Sequence, residues 1–173
     1  ENILFSNFKT QARFSFPALL HGTFELTQDR NHLIKDIDGH NEFLTEKLAE
    51  LLIDTALKIA EKTEHANYLP LQLLNIDFDN IDSVLSDFNF KEKLIEKIKL
   101  SEIFPTVNGN YIDHSTKPVF YDYPIVTFLK GKDVNNLLLY TEDKKILNSF
   151  IIYQWSFSYF LEIISKRTDN KKA

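Results

Sequence analysis

Arg30 stands in a polar stretch, Thr27-Gln28-Asp29-Arg30-Asn31-His32, between an apolar, β-favouring run and a Leu-rich segment. A guanidinium held there, with a strand before it and a helix after it, is well placed to meet an anion. Its planar, paired donors match phosphate or carboxylate oxygens. The commoner use of arginine in an Asp-Arg-Asn turn is a local ion pair that ties the turn down, and the residues alone leave both uses open. His32, Asp36, Asp38 and His40 form a second cluster, with donors that suit a hard or borderline metal ion. They lie in an irregular segment without two-histidine helical spacing, so no metal site is expected. His21, beside Gly22 on a strand, reads as a satisfied, half-buried histidine.

Other chemistries lack their residues. No serine sits in a Gly-x-Ser-x-Gly elbow, and there is neither Gly-x-Gly-x-x-Gly nor Gly-x-x-x-x-Gly-Lys. With 4 glycines in all, a phosphate-cradling loop is not expected, nor is nucleotide binding by this chain alone. Cysteine is absent, which removes disulfides, thiol nucleophiles and cysteine-ligated zinc and fits a reducing cytoplasm. A net charge of -5 argues against a general electrostatic grip on nucleic acid. No apolar run approaches the roughly 18–20 residues of a membrane span, and no signal pattern opens the chain. At 173 residues and 43% apolar content, the chain can bury a core as one domain or two small ones. It begins at Glu1 and contains no methionine, so it is expected to be an excised piece of a longer protein.

The elements that must position Arg30 are a strand before it and a helix after it. Ile3 to Phe8 reads as a short strand. From Phe14 to Leu26, residues Phe14, Phe16, Ala18, Leu20, Gly22, Phe24 and Leu26 share one parity, as on one face of a sheet, with Pro17 at an edge or bulge. Asn41 is expected to N-cap a helix running to about Lys62, with Glu42 in its first turn. Leu44, Leu48, Leu51, Leu52, Ala56, Ile59 and Ala60 form its apolar stripe, expected to pack on a sheet. Strand, turn and long helix together predict an α+β unit, a two-layer sheet-and-helix sandwich over residues 1–70. Tyr68-Leu69-Pro70-Leu71 marks its boundary, because the proline stops helical continuation.

Residues 71–173 predict an α+β extension of small helices and a hairpin. Helical spacing covers Asp79 to Asp87, and Asn89-Phe90-Lys91-Glu92 resembles a capping box for the next helix. Asn108-Gly109 is the preferred pair for a two-residue hairpin turn. Val119 to Leu129 is strand-like around Pro124, Asp133 to Tyr140 suits a short helix, and Thr141 could cap a helix through Ile146 and Phe150. Phe150 to Ile164 fits both periods and is read as a helix beginning near Ser156, with a frayed tail from Lys166 to Ala173. Its aromatic residues are expected in the core, or as an exposed patch if they dock a further domain.

A family resemblance joins these features. The order Leu20-His21-Gly22-Thr23-Phe24-Glu25-Leu26, then Thr27-Gln28-Asp29-Arg30-Asn31-His32-Leu33, a spacer, Asn41 and a long Leu-rich helix resembles the segment following the nucleotide-binding domain in sacsin-like, heat-shock-chaperone-like ATPases of the GHKL superfamily. Leu4-Phe5-Ser6-Asn7-Phe8-Lys9-Thr10 is similar to the strand that closes the ATPase domain there, and Ile103-Phe104-Pro105 with its hairpin extends the likeness. The resemblance implies a middle or transducer region with the ribosomal-protein-S5-like fold. ATP and Mg²⁺ would then sit in the preceding domain of the same chain. It also implies that Arg30 reaches the γ-phosphate, with Lys35 in reserve and Gln28 and Asn31 supplying supporting hydrogen bonds. The chaperone pattern has Ser-Arg-Glu preceded by asparagine, where this chain has Asp29-Arg30-Asn31 preceded by Thr27 and Gln28. Such a segment is no enzyme on its own; it couples nucleotide state upstream to conformational change, with the upstream ATPase domain of the same chain as its expected partner and a protein client or partner as a further candidate. The alternative is a protein-interaction module of a multidomain protein without catalytic contribution, and a metal-dependent enzyme built on the His32–His40 cluster is the third reading.

Overall fold

The computed structural model describes residues 3–6, 8–13, 20–35, 38–75, 83–124, 126, 129–148, 150 and 152–169. The expected strand over 14–19, the metal candidate Asp36, the helical spacing over 79–82 and the tail beyond 169 lie outside these residues. Strands β1 (Ile3–Ser6) and β2 (Phe8–Arg13) form an antiparallel pair. The chain from Leu20 to Leu26 is irregular rather than a continuous strand, and an isolated Leu26–Leu33 bridge closes the turn that contains Arg30. Ser6 ties the first pair to this segment, its hydroxyl donating to the Phe24 carbonyl at 2.9 Å.

Helix α1 (His40–Lys62) is the longest element described. At 1.5 Å per residue its 23 residues span about 34 Å. Glu42 in the first turn and Lys62 in the last complement the macrodipole. Its buried face is Asn41, Thr45, Leu48, Ala49, Leu52, Ile53 and Ala56, whereas Leu51, expected in the stripe, is 57% exposed. At 100° per residue Leu51 falls beyond the edge of the face centred on Leu48 and Leu52.

Among the described residues α1 packs against helices, not across a broad sheet. Its neighbours are α2 (Leu69–Leu73) and, beyond α3 (Ser83–Asp87), α4 (Phe90–Lys99). Pro70 lies in the first turn of α2, where a missing N–H costs nothing, so it opens a helix; α1 has already ended at Lys62. Phe90, Leu94 and Ile98, all 0% exposed, line the buried face of α4. Asn89 precedes this helix with φ 53° and no side-chain cap, so the capping box is not formed. Lys93 reaches Glu42 and Glu46 at 3.6 and 3.5 Å, and Lys97 reaches Glu46 and Glu50 at 3.6 and 3.9 Å. Numbers rise together on both sides, so α4 runs in the same direction as α1.

Strands β3 (Phe104–Pro105) and β4 (Tyr111–Ile112) form the Asn-Gly hairpin. Its loop has three residues instead of the expected two. The Gly109 N–H donates to the Thr106 carbonyl at 3.0 Å and the Thr106 N–H to the Asn110 carbonyl at 2.9 Å. This is a type I turn followed by a left-handed residue, supplied by Gly109 at φ 86°. Asp113 then caps a 3-10 turn over His114–Thr116 by accepting from the Ser115 and Thr116 amides.

Strand β5 is Val119–Phe120; a bend at Asp122 and Tyr123 follows, and among the described residues of the strand expected to reach Leu129 no other is in a strand. The helix expected from Asp133 to Tyr140 is a 3-10 turn, Lys132–Val134, followed by extended chain. Bridges Thr106–Leu138 and Val119–Leu137 lay this chain between β3 and β5, where packing on both sides overrides helical spacing. Helix α5 (Lys144–Asn148) follows, with Thr141 accepting from the Asp143 amide and Asp143 from the Lys145 amide. Strand β6 (Tyr153–Gln154) pairs parallel with β5. Helix α6 (Phe157–Asp169) begins as expected, with the Tyr159 amide donating to Ser156 Oγ at 3.3 Å; instead of fraying at Lys166, it continues to Asp169.

The class is therefore mixed α+β, with two-stranded sheets among the described residues. One hydrophobic cluster runs from Ala12 and Phe24 through α1, α2 and α4 to Phe104, Phe120 and Phe150. A second joins Val107, Tyr121, Val134, Leu137, Trp155, Phe160 and Ile163, with the Tyr121 and Phe160 rings stacked at 4.1 Å. Residues on both sides of position 70 contribute to the first cluster. No helix among the described residues is long and apolar enough to cross a membrane.

Candidate functional site

Arg30 sits at the tip of a short hairpin whose two arms are Glu25–Thr27 and His32–Ile34. The Thr27 N–H donates to the His32 carbonyl at 2.9 Å and the Ile34 N–H to the Glu25 carbonyl at 3.2 Å. Inside the tip, the Arg30 N–H donates to the Thr27 carbonyl at 2.7 Å. Arg30 adopts φ 59°, a left-handed conformation that side chains disfavour by roughly 1 kcal/mol or more. Such a residue persists only where its neighbours over-determine the turn, as they do here. The Thr27 hydroxyl donates to Asp29 Oδ1 at 2.5 Å and accepts from the His32 N–H at 3.2 Å. The Asn31 N–H donates to Asp29 Oδ1 at 3.1 Å, and Asn31 Nδ2 to Asp29 Oδ2 at 3.0 Å.

These bonds hold the Asp29 carboxyl below its ordinary range, chiefly through the Thr27 hydroxyl and then the Asn31 amide, with the nearby His32 adding to the effect. Asp29 is thus an ionised anchor for both shoulders of the tip. Gln28, Asp29 and Arg30 are exposed, Asn31 is half-buried and Lys35 is exposed. Gln28, Arg30 and Asn31 therefore share one short surface hairpin, and Lys35 directly follows its second arm. Asn31, expected to support a ligand, spends its side-chain amide on Asp29.

The hairpin is fixed to the molecule by a residue given a different role by the sequence. Asn41 is inside α1, 0% exposed, and Gly39 with φ 72° occupies the cap position instead. Asn41 Oδ1 accepts from the Glu25 N–H at 2.8 Å, while Nδ2 donates to the carbonyls of Glu25 at 2.9 Å and Ile34 at 2.8 Å. One side-chain amide thus takes the place of a peptide group against both arms of the hairpin. Spacing carries a signal for this: positions 41, 45, 48 and 52 lie on one helix face, so Asn41 belongs to the buried stripe. A polar residue buried there needs partners, and irregular backbone supplies them.

His40 Nε2 lies 3.0 Å from the Thr23 carbonyl and pins the chain before the hairpin. His32 and Asp38 are exposed, and His21, expected to be half-buried, is exposed as well. Among the described residues no three histidine or carboxylate side chains converge on a point that could hold a metal ion. Of the aromatic end, Phe150, Trp155 and Phe160 are buried, while Tyr153, Phe157, Tyr159 and Leu161 are 64%, 62%, 47% and 48% exposed.

Chemically, the hairpin offers a guanidinium at a rigid surface tip, with Lys35 nearby in sequence. That arrangement can neutralise an oxyanion brought to it by another surface. Compared with known proteins, the chain matches no protein-family model, no curated protein and no solved structure.

Proposed function

We propose that this chain is the segment following the nucleotide-binding domain in a sacsin-like ATPase of the GHKL superfamily, a cytoplasmic transducer with the ribosomal-protein-S5-like sandwich. Arg30 reaches the γ-phosphate of ATP held with Mg²⁺ in the preceding domain, and Lys35 is the reserve cation. The observation that carries this reading is the presentation of Arg30. It occupies the exposed tip of a hairpin that Asn41 bolts to a 23-residue helix. A cation that completes another domain's site must be exposed before the two close, and rigid when they have closed. Its charge then offsets negative charge developing on the transferred phosphoryl group. Displacement of the hairpin would move α1 with it, which supplies the coupling to the rest of the protein. In the intact protein, Arg30→Ala is expected to lower ATP turnover about 100-fold or more while ATP binding is retained. Turnover at the wild-type rate would reject the role.

A second reading, a protein-interaction module in which Arg30 only ties its turn, is favoured by the exposed Tyr153, Phe157, Tyr159 and Leu161. Equal affinity for a protein partner with and without nucleotide, lost in Phe157→Asp, would support it over the transducer.

A further inference from the structure

We propose that Asn41 is the positioning residue of the Arg30 hairpin, setting where the guanidinium stands when the site closes. The inference rests on the reading of Arg30 as a phosphate contact. Both arms of the hairpin converge on this one amide, through Glu25 N–H and C=O and the Ile34 C=O. Glu25 and Ile34 also bond each other across the hairpin, so Asn41 meets the two residues that fix its register. The tip beyond them has its own bonds among Thr27, Asp29 and Asn31, which preserve its shape within the hairpin. Among the described residues, Leu33 of the second arm is also buried in the first cluster with Leu26 packed against it, while His40 holds the Thr23 carbonyl and Ser6 the Phe24 carbonyl ahead of the first arm. The second arm receives a side-chain bond from α1 at Ile34, through Asn41. Loss of this amide leaves the tip intact on a looser mount. An arginine displaced by about 1 Å costs up to roughly 100-fold in rate.

The test compares Asn41→Leu, close in size but without the amide, with Thr45→Ala. Thr45 is also fully buried on α1, and its hydroxyl donates to the Asn41 carbonyl at 2.7 Å without touching the hairpin. Amide exchange on the full chain is read first. In Asn41→Leu the Glu25, Thr27 and Ile34 amides are expected to exchange about tenfold faster or more, while Leu52 and Ala56 in α1 stay as they were. In Thr45→Ala the hairpin amides keep their protection. In the intact ATPase, Asn41→Leu is expected to lower kcat about tenfold or more with the nucleotide KM nearly unchanged, and Thr45→Ala to retain most of kcat. Asn41→Ser, which keeps a small polar group in the helix, provides the same comparison if leucine prevents folding. Unchanged hairpin protection, or equal kcat losses in the Asn41 and Thr45 variants, overturns the proposal. Wild-type turnover in Arg30→Ala rejects instead the phosphate reading, and the exchange data tell the two failures apart because they do not depend on turnover.

Discussion

At Asp29 a single exposed carboxylate organises the tip that carries Arg30. Its folded-state pKa lies below the ordinary 3.8, so its contribution to the turn is complete above that value and is lost as pH falls through the lower, folded value. The Asn31 amide proton is therefore expected to keep its protection down to the ordinary 3.8 and to lose it as pH falls below that value, and Asp29→Asn to remove that pH dependence; NMR titration of the Asn31 amide checks both. A neutral amide can still accept from Thr27, so the variant is expected to loosen the tip without unfolding the chain. The sequence made Asp29 a candidate ion-pair partner for Arg30. Its hydrogen bonds to Thr27 and Asn31 give it a further use, which depends on the chain reversing within four residues. No propensity reports that, because the left-handed Arg30 is a strained conformation maintained by its neighbours.

Among the elements, α1 and α4 are joined by apolar packing, with the lysine–glutamate pairs as a half-exposed fringe. Leu94→Ala, at a 0% exposed position, is expected to cost about 2–5 kcal/mol. Lys97→Ala is expected to cost less than about 1 kcal/mol, falling further as salt is raised, because its carboxylate partners are partly solvated. Urea unfolding of both variants at low and high salt measures the contrast. At the hairpin, Gly109→Ala forces a side chain into φ 86° and is expected to cost about 1 kcal/mol by the same measurement, although nothing lies within 4 Å of the added methyl. The strain is in the backbone, and therefore the open space does not relieve it.

Across the molecule, two tyrosine hydroxyls tie the end of α1 and the chain after it to later segments. Tyr111 accepts from the Asn67 N–H at 3.0 Å and shares a 3.0 Å contact with the Thr63 hydroxyl. Tyr68 donates to the Leu139 carbonyl at 2.6 Å, and burial pushes its phenol well above the ordinary range. Tyr111→Phe leaves the Asn67 N–H without its acceptor and is expected to cost about 1–2 kcal/mol. Because the first hydrophobic cluster draws on both sides of position 70, that loss is expected to shift tryptophan fluorescence and far-ultraviolet dichroism transitions together. Transitions that separate would show two independent units.

What the sequence determined by itself is local. Helical spacing from residue 41 to Lys62, the reversal at Asn108-Gly109 and the serine opening α6 all arise from side chains within one or two turns of each other. Arg30 could likewise be singled out from its neighbours as an exposed cation beside a turn. Tertiary structure decided the rest, since each remaining outcome depends on residues distant in the chain. Leu137 and Leu138 are extended because β3 and β5 flank them. Asn41 became a buried clamp because the arms of a hairpin 7 and 16 residues earlier turn peptide groups of Ile34 and Glu25 toward it. A buried amide must be satisfied wherever partners are found, and only the folded chain brings those partners to it.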